Sequence, residues 1–146
     1  MIQNWLHSVE RDSLLKQVEM SENERIDHIP LLLDEIINVL ESKIHVVEHD
    51  SDALDRDIHV VHLDELQEQT IQRAAQHGSL RKRQGYSLEM VFRESRLAQA
   101  AIFQVLHAHL LELELSYVIP DLTITSDVLE ALVAKSVETF SETKAA

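Results

Sequence analysis

Nine histidines and no cysteine in 146 residues make metal or haem ligation the first chemistry to weigh. His45 and His49 are four apart, and His59 and His62 three apart, spacings that share a face if the segment is helical. Glu48, Asp50, Asp52, Asp55 and Asp57 crowd the same stretch and could complete a zinc or di-metal site. Residues 44–57 (IHVVEHDSDALDRD) keep no helical period, however, and neither H-E-x-x-H nor paired E-x-x-H motifs occur. Scattered surface histidines are the preferred reading, and no metal is expected. His107 and His109 diverge by about 200° around a helix and cannot ligate together. One is expected at the core edge and the other in solvent.

Other catalytic chemistry is harder to assemble. Without cysteine there is no thiol nucleophile, disulfide or Cys-zinc site. There is no G-x-S-x-G elbow, and 2 glycines are too few for a phosphate-cradling loop. Carboxylates are abundant, as solvated helix faces require. The chain is expected not to be an enzyme.

The sharpest feature is HGSLRKRQGYSLEMVFRESR, residues 77–96. His77 and Arg81 are four apart near the end of one helix, and Gly85 stands where a left-handed C′ residue belongs. Ser87 is a good N-cap for the next helix, Leu88 starts its apolar stripe, and Glu89–Arg93 is a favourable i, i+4 pair. Glu94 then faces back toward the turn. It is expected to pair with Arg81 and tie the two helices together, a structural corner rather than a ligand site. His77 is the first candidate for a haem ligand, but no cofactor is expected.

The elements that must carry this corner are helical. The chain is one ordinary domain in length, with 45% apolar and 27% charged residues, so a single folded unit, 1–146, is expected. Two glycines, 2 prolines and no Asn-Gly exclude a hairpin-rich β fold. Helices are predicted over about Gln3–Glu19, from Pro30 to about Lys43, and from Asp57 to Gln84 with Gly78 as a kink, break or close approach. Another runs from Ser87 to about Ser116, apolar over so wide an arc that it lies centrally or carries a second interface. Pro120 is expected to stop it. A last helix, capped by Thr125 or Ser126, buries Leu129, Leu132, Val133, Val137 and Phe140. Ile44, Val46 and Val47 could form a brief extended piece.

A net charge of −13 repels nucleic acid and anionic lipid, although residues 73–96 hold six basic and two acidic side chains. No run of about 20 apolar residues spans a membrane. MIQNWLHSVERD lacks the order of a signal peptide, and a cytoplasmic protein is expected.

The pattern H-x3-R-x3-G-[YF]-x-L-x5-E-x-R, here His77, Arg81, Gly85, Tyr86, Leu88, Glu94 and Arg96, resembles the signature of the RsbR-type (RsbRD) N-terminal domain. That domain heads stressosome co-antagonists and many bacterial sensor histidine kinases. The likeness extends more weakly to the Trp5 helix, the Ile29-Pro30-Leu31-Leu32 entry and the last helix. Ser95 stands where an aromatic residue is usual, and Leu97-Ala98-Gln99 replaces a common Leu-Arg. The resemblance implies an all-α, globin-like bundle of five to six helices around a long central helix. It implies a dimeric, non-catalytic signalling input domain placed before a STAS, PAS or kinase output, as a fragment of a longer protein or a stand-alone module. The alternative is a haem- or metal-binding globin-like sensor or carrier. A homodimer is also expected from helix apolarity, with Trp5 and Leu6 offered at the interface.

Overall fold

A computed structural model describes residues 1–26, 29–47, 66–109, 111 and 115–144, except the side chains at 31, 40–47 and 115–117. Among them are α1 (Ile2–Arg11), a 3₁₀ turn (Leu15–Gln17), α2 (Glu22–Ile26), α3 (Ile29–Val47), α4 (Glu68–Arg83), α5 (Leu88–Ala108) and α6 (Leu115–Glu142), with no strand. The protein is an all-α bundle with long α5 and α6. No described helix is long and apolar enough to cross a membrane.

The first helix ends earlier than its periodicity predicts because Asp12 breaks it. Asp12 Oδ1 accepts from the Leu14 and Leu15 amides at 2.9 and 3.0 Å, giving the backbone a local alternative to the helix. The polar residues 20–26, which by composition only end the first helix, hold α2. The Ser21 amide donates to Glu24 Oε2 at 2.8 Å and the Glu24 amide to Ser21 Oγ at 3.3 Å, a capping box that starts the helix.

Helix α3 runs through Val47, so Ile44, Val46 and Val47 are helical rather than extended. Helix propensity penalises a β-branched residue by only a few tenths of a kcal/mol, too little to stop a seeded helix (about 0.7 at most). Apolar spacing predicts a stripe of Leu32, Leu33, Ile36, Ile37 and Leu40, but the buried face is rotated from it: Ile29, Glu35, Ile36 and Val39 are buried and Ile37 is half-exposed. Glu35 has a specific task. Its Oε1 accepts from the Gln67 amide at 3.0 Å and its Oε2 from the Thr70 hydroxyl at 2.7 Å. A carboxylate of α3 thus caps the positive N-terminus of α4. The helix begins there, at Glu68, because Gln67 is extended (φ −63°, ψ 135°); residues 48–65 lie outside the described part.

Helix α4 lies closest to α6, and Gly78 is the reason. A Cβ there would fall within 2.8 Å of the Ser136 carbonyl carbon, so only glycine lets the backbones meet. Ser136 Oγ donates to the Ala74 carbonyl at 2.8 Å, and the two helices are thereby pinned. Of the three roles open to Gly78, close approach is the one found.

Helix α5 ends at Ala108 with His109 as C-cap, short of the predicted Ser116, so Pro120 does not stop it. Pro120 sits inside α6, five residues past its first, and withholds the N–H that the Ser116 carbonyl would accept. Thr125 is not a cap; it is buried mid-helix and donates to the Asp121 carbonyl at 2.8 Å. Ser126 is mid-helix as well.

Two apolar clusters form the core. One joins Trp5, Leu6, Val9, Leu15, Ile29, Tyr86, Met90, Val91, Ala98, Ala101 and Phe140. The other joins Ile36, Val39, Leu66, Ala74, Ile102, Val128, Leu129 and Leu132. Helix α5 feeds both, which explains its wide apolar arc. Trp5 and Leu6 are buried in the chain's own core, not exposed for a partner as expected. In the last helix Leu129, Leu132 and Phe140 are buried, whereas Val133 and Val137 are half-buried.

Candidate functional site

The corner between α4 and α5 is built by its caps. Gly85 at φ +87° lets the Tyr86 amide reach the Arg81 carbonyl at 3.0 Å and the Gly85 amide the Lys82 carbonyl at 3.1 Å, a Schellman closure. Two residues later Ser87 Oγ accepts from the Met90 amide at 3.3 Å, launching α5. These two caps fix where His77 and Arg81 on one helix, Tyr86 in the turn and Glu94 on the other must meet.

They meet in the core. Arg81 and Glu94 have side chains 0% and 2% exposed. Arg81 Nε donates to Glu94 Oε2 at 3.0 Å and Nη2 to Glu94 Oε1 at 3.0 Å, a bidentate pair. Nη1 donates to the Glu24 carbonyl at 3.1 Å and to Gln84 Oε1 at 2.9 Å, and Nη2 also to the Arg25 carbonyl at 3.1 Å. All five guanidinium hydrogens therefore have acceptors. Such full satisfaction is what allows a desolvated charge to persist in a core.

The carboxylate is equally occupied. The Tyr86 hydroxyl donates to Glu94 Oε1 at 3.3 Å, and His77 Nε2 stands 3.4 Å from Oε2. Arg81 also lies over the Tyr86 ring at 5.1 Å, a cation–π contact. Burial, with the Glu94 carboxylate adding to it, pushes the Tyr86 phenol from 10.0 up to about 12. One further reach comes from α1, where Trp5 Nε1 is 3.5 Å from the Glu94 carbonyl. A single buried cluster thus locks α1, α2, α4 and α5 together.

Five of the seven signature residues converge here: His77, Arg81, Gly85, Tyr86 and Glu94. Leu88 and Arg96 do not. Leu88 is 39% exposed, and Arg96 is exposed on the outer face of α5. Met90 and Val91, one turn on, take the inward places that Leu88 was expected to open. Glu89 and Arg93 do pair, at 3.1 Å, and Arg93 reaches Asp12 at 3.4 Å. Burial acts to raise the Asp12 carboxyl, but the Leu15 and Leu14 amides and Arg93 outweigh it and hold the group below its usual range.

Sequence reasoning missed the acceptors that α2 supplies to Arg81. The Ser21–Glu24 spacing was the available signal, since a capping box implies a helix whose end carbonyls need donors. It missed Glu35 as well, whose only mark was an acidic residue inside an apolar stripe.

The histidine candidates are not brought together. Backbone places His45 on α3, its side chain lies outside the described residues, and so do His49, His59 and His62. Among described residues no group of three His, Cys, Asp or Glu could hold a metal ion. His107 and His109 are both exposed, not one at the core edge, because α5 ends between them.

Beside the cluster lies a cavity of about 60 Å³ between α3, α4, α5 and α6. Leu32, Ala74, Ala98, Leu129, Leu132 and Val133 supply its apolar lining, Thr70, His77, Glu94, Ser95 and Ser136 its polar lining, and the exposed Arg73 also borders it. No family model, no curated protein and no solved structure matches this chain.

Proposed function

We propose that the chain is a non-catalytic sensory input domain of a bacterial signalling protein, of the kind that heads RsbR-type co-antagonists and sensor histidine kinases. One observation carries the reading. Five of the seven residues of the resemblance, spread over 18 positions from His77 to Glu94, fold into one buried cluster in which every guanidinium hydrogen of Arg81 has an acceptor. A motif of that design sets helix geometry, which supports a structural rather than a chemical role for it. In a sensor it gives rigid helices whose relative placement can be read by an output domain.

Signal passage in this reading runs through a homodimer to a C-terminal STAS, PAS or kinase output in the cytoplasm. With Trp5 and Leu6 buried, the pairing surface in this reading is Leu88 and Phe92, four apart on α5, two of the five exposed large apolar side chains among the described residues, with Ile37, Leu111 and Ile119 the others. Fusion ahead of a histidine-kinase or STAS output tests the proposal. Output is expected to depend on the domain and to change when the cluster is altered by Tyr86→Phe. A fusion whose output is identical with the domain deleted overturns it.

A further inference from the structure

We infer that the cavity between α3, α4, α5 and α6 is a binding site for a small monocarboxylate with a short apolar tail. This goes beyond the sensory reading and is tested on the isolated chain, so either can fail without the other.

The apolar body is argued from the wall. Leu32, Ala98, Leu129 and Leu132 line a space of about 60 Å³, and a water needs about 10–15 Å³ of such space. Room for only a few waters, against a surface that is mainly apolar and whose hydroxyls are spent on other partners, suits a tail of three or four carbons better than solvent. The small residues that open the space, Ala74, Ala98 and Ser136, occupy inward positions where larger side chains would close it.

The charge of the head follows from the polar rim. Glu94 is the carboxylate of the rim, and Arg81, Tyr86 and His77 already take its oxygens. It has little left for a ligand cation. Ser136 and Thr70 spend their hydroxyl hydrogens on the Ala74 carbonyl and on Glu35. Arg73, exposed and four residues before His77 on the same face of α4, brings a guanidinium to the open margin, where a carboxylate can be met bidentately while its tail enters. An alcohol would forgo that contact, and an ammonium would be opposed by it.

The test is a titration of the chain with sodium butyrate, read by backbone amide NMR, with butanol and butylammonium as comparators. Butyrate is expected to saturate in the millimolar range and to shift the amides of Ala98, Leu132 and Ser136. Arg73→Gln should weaken butyrate about tenfold, one charge-assisted hydrogen bond's worth, and leave butanol unchanged. Arg96→Gln, an equal charge change away from the cavity, should alter neither. Ala98→Leu should abolish binding by filling the space; since Arg73 is exposed, its variant remains a fair test if Ala98→Leu does not fold. Non-saturating shifts, shifts elsewhere, or butylammonium or butanol binding as tightly as butyrate would each overturn the inference.

Discussion

Removing the Glu94 carboxylate is the severest single perturbation of the corner. In Glu94→Ala two of the five Arg81 donors, Nε and one on Nη2, lose acceptors, while the other three keep Glu24, Gln84 and Arg25. Each unmet buried donor costs about 1–3 kcal/mol, and the charge is left uncompensated at 0% exposure. Together they set the expected loss at about 3–5 kcal/mol, the range for breaking a buried pair from one side. The exposed Glu89–Arg93 pair supplies the contrast, and Glu89→Ala should cost below about 1 kcal/mol. Urea unfolding followed by the fluorescence of Trp5, the sole tryptophan and 1% exposed, measures both. Arg81→Met combined with Glu94→Ala closes the cycle. Because each single change strands the other partner, the double variant should lose at least about 2 kcal/mol less than the sum. Additive losses, or Glu94→Ala within about 1 kcal/mol of the unaltered chain, would refute the claim that this pair is desolvated and coupled.

Tyr86, whose phenol is raised to about 12, holds its proton more tightly folded than unfolded. Its contribution is complete below pH 10 and is lost as pH rises from there through about 12, by about 2–3 kcal/mol for a two-unit difference; urea midpoints across that window should fall less steeply in Tyr86→Phe. Gly78→Ala should destabilise by about 3 kcal/mol or more, since its Cβ meets the Ser136 backbone rather than a yielding side chain, and a thermal midpoint near that of the unaltered chain would contradict the close approach of α4 and α6. Haemin titration is expected to give no stoichiometric Soret band, and a band lost in His77→Ala would reverse that expectation. Light scattering at micromolar concentration should give twice 16.8 kDa, and Phe92→Glu should return the monomer; a monomer before substitution removes the dimer route to signalling.

The helical class was legible in composition, because 2 glycines and 2 prolines leave no turns for a sheet. Boundaries were legible only where a cap has a residue signature. Gly85 and Ser87 mark their positions to the residue, since only glycine suits the left-handed C′ site and a serine hydroxyl is a strong N-cap acceptor. Boundaries set from a distance were not readable. Helix α4 starts where Glu35, on another helix, supplies its cap, and no local pattern around Gln67 records that. Pro120 misled for a related reason. A proline disrupts a helix by one missing donor and a clash with the carbonyl four residues back, and near the start of α6 few turns precede it to be disrupted.

The same distinction decides what could be read of the site. Arg81 and Glu94 were predictable partners because two identifiable caps and helical periodicity fix the angle between their helices, so thirteen residues of chain suffice to aim one at the other. The depth of the pair was not predictable, because it depends on α2 arriving to offer two carbonyls and on Trp5 of α1 closing the near side. Leu88 shows the converse error. Its place at the first residue of α5 fits an apolar stripe by spacing, yet on that flank of the first turn the side chain stays 39% exposed. Spacing tells which residues share a face. Only the neighbours supplied by the rest of the chain tell which face is inside, and this is why Glu94, an acid, ended in the core while Leu88 and Phe92 stayed in water.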